Sequence, residues 1–288
     1  MKFKAMNPKL RKRKIQTWFR AGVQLLFFIL FPSMFTAAFN GVKYIFTQLG
    51  SGKRIELTAF VAVLLMLCVY TMIFGRFFCG FACAFGSFGD AVHAIYVSCC
   101  RKLKKKPVSI PAKAAKKLTY MKYVILAIIL FLCYLGAYSS LKGTSPWDVF
   151  SMLRAGNLDL GSYIIGAVLL VLIIIGMCVQ ERFFCRFMCP MGAVFSILPI
   201  ASTFTLHRDR AGCIKGCGAC EKICPCDIGL PDDSSGRISG DCFQCQKCNG
   251  ICPKSNIHTG IKQLRGNELW FTGIRAAILI AIFVWLGV

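Results

Sequence analysis

Two nine-residue stretches of this 288-residue chain repeat each other: residues 75–83 read GRFFCGFAC, and residues 181–189 read ERFFCRFMC. Each copy follows a long apolar run, and a glycine stands three residues after each, at Gly86 and Gly192. A shared Arg-Phe-Phe-Cys-x-Phe-x-x-Cys pattern indicates an internal duplication. Because both copies lie at the same end of the preceding run, we expect a parallel duplication with a pseudo-twofold axis along the membrane normal.

The apolar residues, 56% of the chain, are gathered into runs long enough to cross the hydrocarbon layer, which takes about 20 helical residues. These runs cover approximately residues 18–39, 57–78, 121–141, 163–184 and 269–288. A basic arm before an apolar run also fits a signal peptide, but further runs follow, so we predict an uncleaved first span. The sequence therefore predicts a mainly α, polytopic membrane protein of about five spans.

The distribution of Lys and Arg predicts the orientation of these spans. The arm before the first run holds seven and the connection 98–122 holds nine, whereas 40–56 holds three and 142–159 holds two. The loops rich in Lys and Arg stay in the cytoplasm. We therefore expect the N-terminus and the segment after the fourth run on the cytoplasmic side of the cell membrane, and the C-terminus outside. This bias also explains the net charge of +23, which no nucleic-acid motif accompanies.

Residues 206–260 are polar and rich in cysteine. One half reads Cys213-x3-Cys217-x2-Cys220-x3-Cys224-Pro, and the other reads Cys242-x2-Cys245-x2-Cys248-x3-Cys252-Pro. In bacterial two-cluster ferredoxins, three cysteines of such a run bind one 4Fe–4S cluster and the fourth binds the other cluster. The sequence therefore predicts a small α+β ferredoxin-like domain with two ligand sets: Cys213, Cys217, Cys220 and Cys252 (set 1), and Cys242, Cys245, Cys248 and Cys224 (set 2).

Zinc and haem are the other cofactors that such residues can bind. A zinc site usually takes two separated pairs of ligands, whereas this segment offers two triplets, each with a trailing Cys-Pro, so iron–sulfur clusters are favoured. The chain has three histidines, His93, His207 and His258. A membrane di-haem cytochrome needs histidine pairs on facing spans, so no haem is expected.

The duplicated motifs provide a second candidate site, made of the pairs Cys79/Cys83 and Cys185/Cys189. Residues i and i+4 share a face of a helix, and the expected pseudo-twofold axis could bring all four thiols together. A further iron–sulfur cluster, a bound metal ion and two redox-active dithiols are all compatible with four such thiols. Packing of buried thiols, preserved by the duplication, is the alternative.

The domain organisation follows from these features. We expect a basic cytoplasmic arm at 1–17, a four-span membrane domain with the duplicated motifs at 18–205, the ferredoxin-like domain at 206–260 and a last span at 261–288. No Rossmann, Walker or hydrolytic triad pattern accompanies them, so we assign no catalytic residue to the chain.

The ferredoxin-like segment and the Cys-x3-Cys motifs after apolar runs resemble the NapH/NosR/CcoG group of membrane-bound ferredoxin-type 4Fe–4S proteins. The resemblance covers roughly residues 75–253 and the flanking runs, and the layout is most similar to NapH, a ferredoxin-type quinol dehydrogenase component. The motif of the group is Cys-x3-Cys-Pro. The second copy matches it at Cys185, Cys189 and Pro190, whereas the first has Ala84 in place of the proline.

The resemblance implies an electron-transfer subunit of an oxidoreductase. It would relay electrons between the cytoplasmic face and quinone, or a membrane or extracytoplasmic redox partner such as a flavin protein or a cytochrome. Metal-centre maturation with copper at the membrane cysteines, as in CcoG, and redox sensing through the basic loop 101–117 are the alternatives. We expect redox subunits and membrane lipid as partners, and no nucleic acid.

Overall fold

The computed structural model describes residues 8–138, 143–156, 161, 163–198, 200–201, 206–230, 238–259 and 268–287. Its helices are α1 (Pro8–Leu30), α2 (Met34–Gly50), α3 (Ala59–Phe74), α4 (Ala84–Lys102), α5 (Ala112–Leu118), α6 (Met121–Tyr134), α7 (Pro146–Arg154), α8 (Ile164–Val179), α9 (Pro190–Ile197), α10 (Ala219–Lys222), α11 (Lys247–Ile251) and α12 (Glu268–Trp285). Two strands, β1 (Leu206–Arg208) and β2 (Ile257–Thr259), and two π-helical turns, Phe78–Ala82 and Phe184–Met188, complete the described elements.

The described helices make this a helical membrane protein. Two stretches, Ala112–Tyr134 and α12, are long and apolar enough to cross a membrane, and α1 and α2 would form a third span if they are taken together. Helices α3 and α8 are apolar but have 16 residues each. Five spans and their orientation stay a prediction from the sequence.

The first apolar run differs from the uninterrupted span that the sequence predicts for residues 18–39. Helix α1 ends at Leu30 and α2 begins at Met34, so the run is broken around Pro32. Proline lacks the N–H that an α-helix needs for its hydrogen bond, and its ring clashes with the preceding turn. A proline inside an apolar run was therefore a visible signal for this break.

The chain divides into two compact units. The first comprises Met1–Leu30, Cys68–Cys83 and Phe195–Val288, and it contains the ferredoxin-like segment and the first copy of the motif. In this segment β1 pairs antiparallel with β2, with His207 opposite His258. Leu206, Ile238 and Ile257 form a small apolar core together with Cys242 and Cys248. The strand pair thus ties the two ends of the cysteine-rich segment to each other.

The second unit comprises Phe31–Leu67 and Ala84–Val194, and it contains the second copy of the motif. Its core is aromatic: Phe85 packs 4.4 Å from Phe184, and Phe39 packs edge-on to Trp147 at 5.2 Å between ring centroids. Such pairs contribute about 0.5–1.5 kcal/mol beyond their buried area. The aromatic core therefore fixes the second π-helical turn against α4.

Candidate functional site

The cysteines of the ferredoxin-like segment surround two cavities. Cys213, Cys217, Cys220 and Cys252 line one of them, and Cys224, Cys242, Cys245 and Cys248 line the other, together with Cys220 and Cys226. Each cavity is thus lined by all four cysteines of one predicted set, including the fourth cysteine from the other half, and Cys220 lines both cavities. Their ligation of iron is a proposal.

The backbone around Cys245 is shaped to turn three cysteines toward one cavity. Gln244 and Gln246, on either side of Cys245, have φ angles of +52° and +60°. Non-glycine residues in this left-handed region cost free energy and persist where the surrounding structure holds them, often at functional sites. Helix α11 begins directly afterwards and carries Cys248. Two left-handed residues within three positions therefore produce the tight loop of set 2.

The electrostatics of set 2 suit a cationic cofactor. Burial, and then the neighbouring Cys245, raise the pKa of the Cys242 thiol to about 12, and the same causes raise the pKa of Cys248. Thiols this close to each other repel as thiolates, and only positive charge among them makes the thiolate form favourable. A cubane presents four irons to four such sulfurs. Within the described residues, no three His, Cys, Asp or Glu side chains converge on a point as ligands of a single metal ion do.

Residues in and beside the strand pair, namely Arg208, Asn256 and Ile257, help to line the cavity of set 1. The backbone N–H of Asn256 donates a hydrogen bond to Sγ of Cys252 at 3.4 Å, and the guanidinium of Arg208 donates one to Sγ of Cys220 at 3.6 Å. Arg208 also pairs with Glu221 at 3.1 Å and donates to the carbonyl of Leu230. Donors aimed at cysteine sulfur stabilise thiolate charge and tune the reduction potential of a cluster.

The spacing gives Cys226 no ligand role, which leaves a cluster-tuning or incidental thiol as the interpretation, and the sequence gives no role to Arg208. Cys226 is buried and hydrogen-bonds the thiol of Cys224, which lowers the pKa of Cys224 to about 6 despite burial. The position of Cys226 directly after Cys224-Pro225 was the available signal. Arg208 had no signal, because its approach to Cys220 depends on how β1 packs against the cysteine-rich loop.

The membrane cysteines belong to two π-helical turns of the same geometry: Cys79 and Cys185 lie inside the turns, and Cys83 and Cys189 directly follow them. The N–H of Cys83 donates to the carbonyl of Phe78 at 2.9 Å, and the N–H of Cys189 donates to the carbonyl of Phe184 at 2.8 Å. The last cysteine of each turn is extended, with ψ of 117° at Cys83 and 115° at Cys189. Each pair thus spans a π-helical turn and the extended residue after it rather than one face of an α-helix, and π-helical turns occur frequently at functional sites.

All four membrane cysteines are buried, between 5 and 7% exposed. The backbone N–H of Gly192 donates to Sγ of Cys189 at 3.1 Å, so this sulfur has a donor directed at it. Cys79 and Cys83 belong to the first unit, and Cys185 and Cys189 belong to the second. The expected convergence of the four thiols therefore stays a prediction.

The first copy of the motif holds the loop that carries Cys242 and Cys245. The guanidinium of Arg76 donates to the carbonyl of Gly240 at 3.3 Å, pairs with Asp241 at 3.5 Å and lies over the ring of Phe243 at 4.6 Å. A methyl group on Gly80 would clash with the backbone carbonyl oxygen of Phe243. The absence of a side chain at residue 80 therefore lets the loop approach the π-helical turn.

The arginine of the second copy, Arg182, has a different kind of partner. Nε and Nη2 of Arg182 donate to the two carboxylate oxygens of Asp90 in α4, at 2.7 and 2.6 Å. Arg182 is 1% exposed and Asp90 is 13% exposed. The residue that corresponds to Gly80 is Arg186, which lies over the ring of Phe187 at 5.1 Å. The second copy is thus anchored to a helix.

The 4Fe-4S binding domain family matches the chain twice, at residues 57–107 and 163–198, which are the two regions that contain the duplicated motifs. Protein MJ0749 of Methanocaldococcus jannaschii is 31% identical to this chain over 206 residues, which are 72% of each chain. Ferredoxin-type protein NapH of Haemophilus influenzae is 28% identical over 209 residues, 68% of this chain and 66% of NapH. This chain belongs to the NapH/NosR-type family of membrane-bound ferredoxin-like 4Fe–4S proteins.

Members of the NapH/NosR-type family differ in length. The regulatory protein NosR of Pseudomonas aeruginosa is 27% identical over 203 residues, which are 68% of this chain and 27% of NosR. No solved structure matches the chain. The family resemblance that the sequence predicts is confirmed by these relatives.

Proposed function

We propose that this NapH/NosR-type protein binds two 4Fe–4S clusters in its ferredoxin-like segment and relays electrons between the cytoplasmic face and quinone or a redox partner in or beyond the membrane. The observation that carries the proposal is the grouping of the cysteines, since each predicted ligand set lines one cavity. When bound, the clusters supply one-electron redox chemistry. The residues of the chain hold them, exclude water and set their potential.

The proposed route leads from set 2 to the first membrane cysteine pair. The loop that carries Cys242 and Cys245 lies against Gly80, the neighbour of Cys79. Arg76 holds this loop through Gly240 and Asp241. Burial raises the pKa of Cys242, and the positive charge of Arg76 opposes a small part of that rise. Arg76 thus acts as a positioning residue, which favours negative charge where an added electron would reside.

Iron and acid-labile sulfide per chain, with EPR of the reduced protein, test the proposal on anaerobically purified full-length protein. About eight irons are expected for two cubanes. Cys245→Ala should remove one cluster, whereas Cys99→Ala, at an exposed cysteine outside both sets, should leave the iron content unchanged. Full iron content in Cys245→Ala, or zinc in place of iron, would overturn the ligand assignment.

Copper handling is the second candidate function, supported by the buried thiol pairs in the π-helical turns. Thiolate sulfur is a soft ligand that selects Cu(I). If the membrane cysteines bind copper, Cys185→Ser with Cys189→Ser should abolish copper binding but keep the iron of the ferredoxin-like segment. Equal copper binding by this variant and the native protein would exclude the copper role for that pair.

A further inference from the structure

A basic cleft lies in the first unit, beside the loop of set 2. One wall is a single face of α1, formed by Arg13, Gln16, Thr17 and Arg20 at helical spacing. The opposite walls are the start of α12 and the loop with Cys245 and Lys247. The amide of Gln246 donates to the hydroxyl of Thr272 at 2.6 Å and so joins the loop to α12. The cleft is therefore built from three elements that hold each other in place.

The lining of this cleft favours an anion. It contains the cationic side chains Arg13, Arg20 and Lys247, and the described lining residues include no Asp or Glu. Its apolar part is formed by residues such as Phe19, Phe81 and Leu269. Cationic clefts between membrane helices are typical binding sites for the head groups of anionic lipids. A ligand with a negative head and an apolar body fits both parts.

Two tryptophans place the cleft at the boundary between membrane and water. Trp18 is 73% exposed next to Phe19, and Trp270 is 70% exposed next to Leu269. Exposed tryptophan is enriched at the level of lipid head groups, where its apolar ring and its N–H are both satisfied. The cleft thus opens where phosphate groups of lipids are abundant.

The size and hydrogen-bonding groups of the cleft further restrict the chemical class of its ligand. Its volume is about 250 Å³, below the roughly 300 Å³ at which pockets begin to enclose drug-sized molecules. A head group fits this space better than a whole planar cofactor. Oε1 of Gln16 is buried and has no hydrogen-bond partner among the described residues. A hydroxyl on the head group would donate to this acceptor.

We propose that this cleft binds a phosphate-diester head group that carries a hydroxyl, as in phosphatidylglycerol. Cys245 and Lys247 line both this cleft and the set 2 cavity. A bound anion would therefore lie beside a proposed cluster ligand and disfavour reduction of the cluster by charge repulsion. Binding of the head group is independent of the proposed electron relay, and only this effect on potential rests on it.

The test uses full-length protein that is delipidated and then incubated with vesicles of phosphatidylcholine alone or with phosphatidylglycerol, followed by native mass spectrometry of retained lipid. Arg13→Gln with Lys247→Gln should lower phosphatidylglycerol retention by about thirtyfold. Arg11→Gln with Lys14→Gln removes two exposed charges from α1 outside the cleft and should leave retention unchanged. If both double variants lost phosphatidylglycerol equally, the proposed site would be wrong, and the lipid would be held by general attraction to the basic surface.

A second measurement distinguishes a lipid head group from a soluble phosphate ester as the ligand. A third tests whether the bound lipid changes the potential of the cluster. If soluble glycerol 1-phosphate displaces the lipid at equal concentration, the cleft binds a soluble phosphate ester and the lipid assignment is wrong. Redox titration by EPR should show a lower midpoint potential in phosphatidylglycerol than in phosphatidylcholine, and no such difference in Arg13→Gln with Lys247→Gln. If the protein binds no clusters, the proposed electron relay is wrong. The lipid-retention measurement still tests the head-group site, because it does not depend on clusters.

Discussion

Arg76 in the first copy of the duplicated motif pairs with Asp241 of the ferredoxin-like segment, whereas Arg182 in the second copy pairs with Asp90 of α4. Both arginines are buried, and a buried charge is costly unless it is paired. Asp90 follows the first copy, seven residues after Cys83. The residue seven positions after Cys189 in the second copy is Ser196, which carries no charge that could pair with Arg76. The arginine of each copy therefore pairs with a carboxylate. In the second copy the carboxylate belongs to α4, and in the first copy it belongs to the ferredoxin-like segment.

The copies also differ at the residue after the first cysteine, which is Gly80 in one and Arg186 in the other. Gly80 has the carbonyl of Phe243 beside it, and the amide of Gln24 donates to its own carbonyl at 3.1 Å. Arg186 fills the corresponding place with a buried side chain. The first copy is thus a docking surface for the ferredoxin-like loop, and the second is a packed part of the membrane region.

The largest effect is expected from Arg182→Met, which removes the bidentate partner of Asp90. Loss of one member of a buried ion pair leaves the other charge uncompensated and costs about 3–5 kcal/mol. Thermal unfolding in detergent should show this loss. Addition of Asp90→Asn to the variant should restore part of the stability. An unchanged melting temperature in Arg182→Met would show that the pair does not stabilise the second unit.

Gly80→Ala should destabilise the docked loop by about 1–3 kcal/mol, because the new methyl group meets backbone rather than a flexible side chain. Limited proteolysis should cleave the ferredoxin-like segment faster, and the EPR signal assigned to set 2 should change. Gly22→Ala in α1 is the matched control, since no atom lies within 4 Å of the added methyl group. Equal proteolysis of the two variants would mean that the loop does not rest on Gly80.

Arg76→Met should cost less than Arg182→Met, about 1–2 kcal/mol, since Asp241 is 29% exposed and can be hydrated when the pair is lost. It should also lower the midpoint potential of the set 2 cluster, because a nearby positive charge favours the reduced form. Redox titration by EPR measures this shift. Arg76→Lys should retain most of the potential, which separates the effect of charge from a loss of structure.

Local spacing predicted the duplication and the family, because each depends on residues close in sequence. The cysteines of each predicted ligand set line one cavity, and their ligation of clusters stays a prediction. The roles of Gly80, Arg76 and Asp241 could not be predicted, since residues about 165 positions apart meet only after folding. The π-helical turns were missed for a related reason: Cys-x3-Cys fits one face of an α-helix equally well. The break near Pro32, by contrast, has a local cause in the sequence, because proline interrupts an α-helix.

The smallest effect is expected at Ala84, which stands where the Cys-x3-Cys-Pro motif has proline. A substitution there tests whether the two copies share the same backbone conformation. Ala84 is the first residue of α4, as Pro190 is of α9, and proline is well tolerated at the first position of a helix. Cys83 has φ of −70° and ψ of 117°, almost the values of Cys189, and this extended conformation is the one that a following proline requires.

Ala84→Pro should therefore be neutral or stabilise the protein by about 0.4–1 kcal/mol, with cluster content unchanged. Ala82→Pro, two residues earlier and inside the π-helical turn, should cost about 3 kcal/mol, because it removes a backbone donor and places the ring against the preceding turn. Thermal unfolding of both variants measures the difference. If Ala84→Pro destabilised the protein as much as Ala82→Pro, the two copies would not share a backbone, and the asymmetry between them would begin at the turn itself.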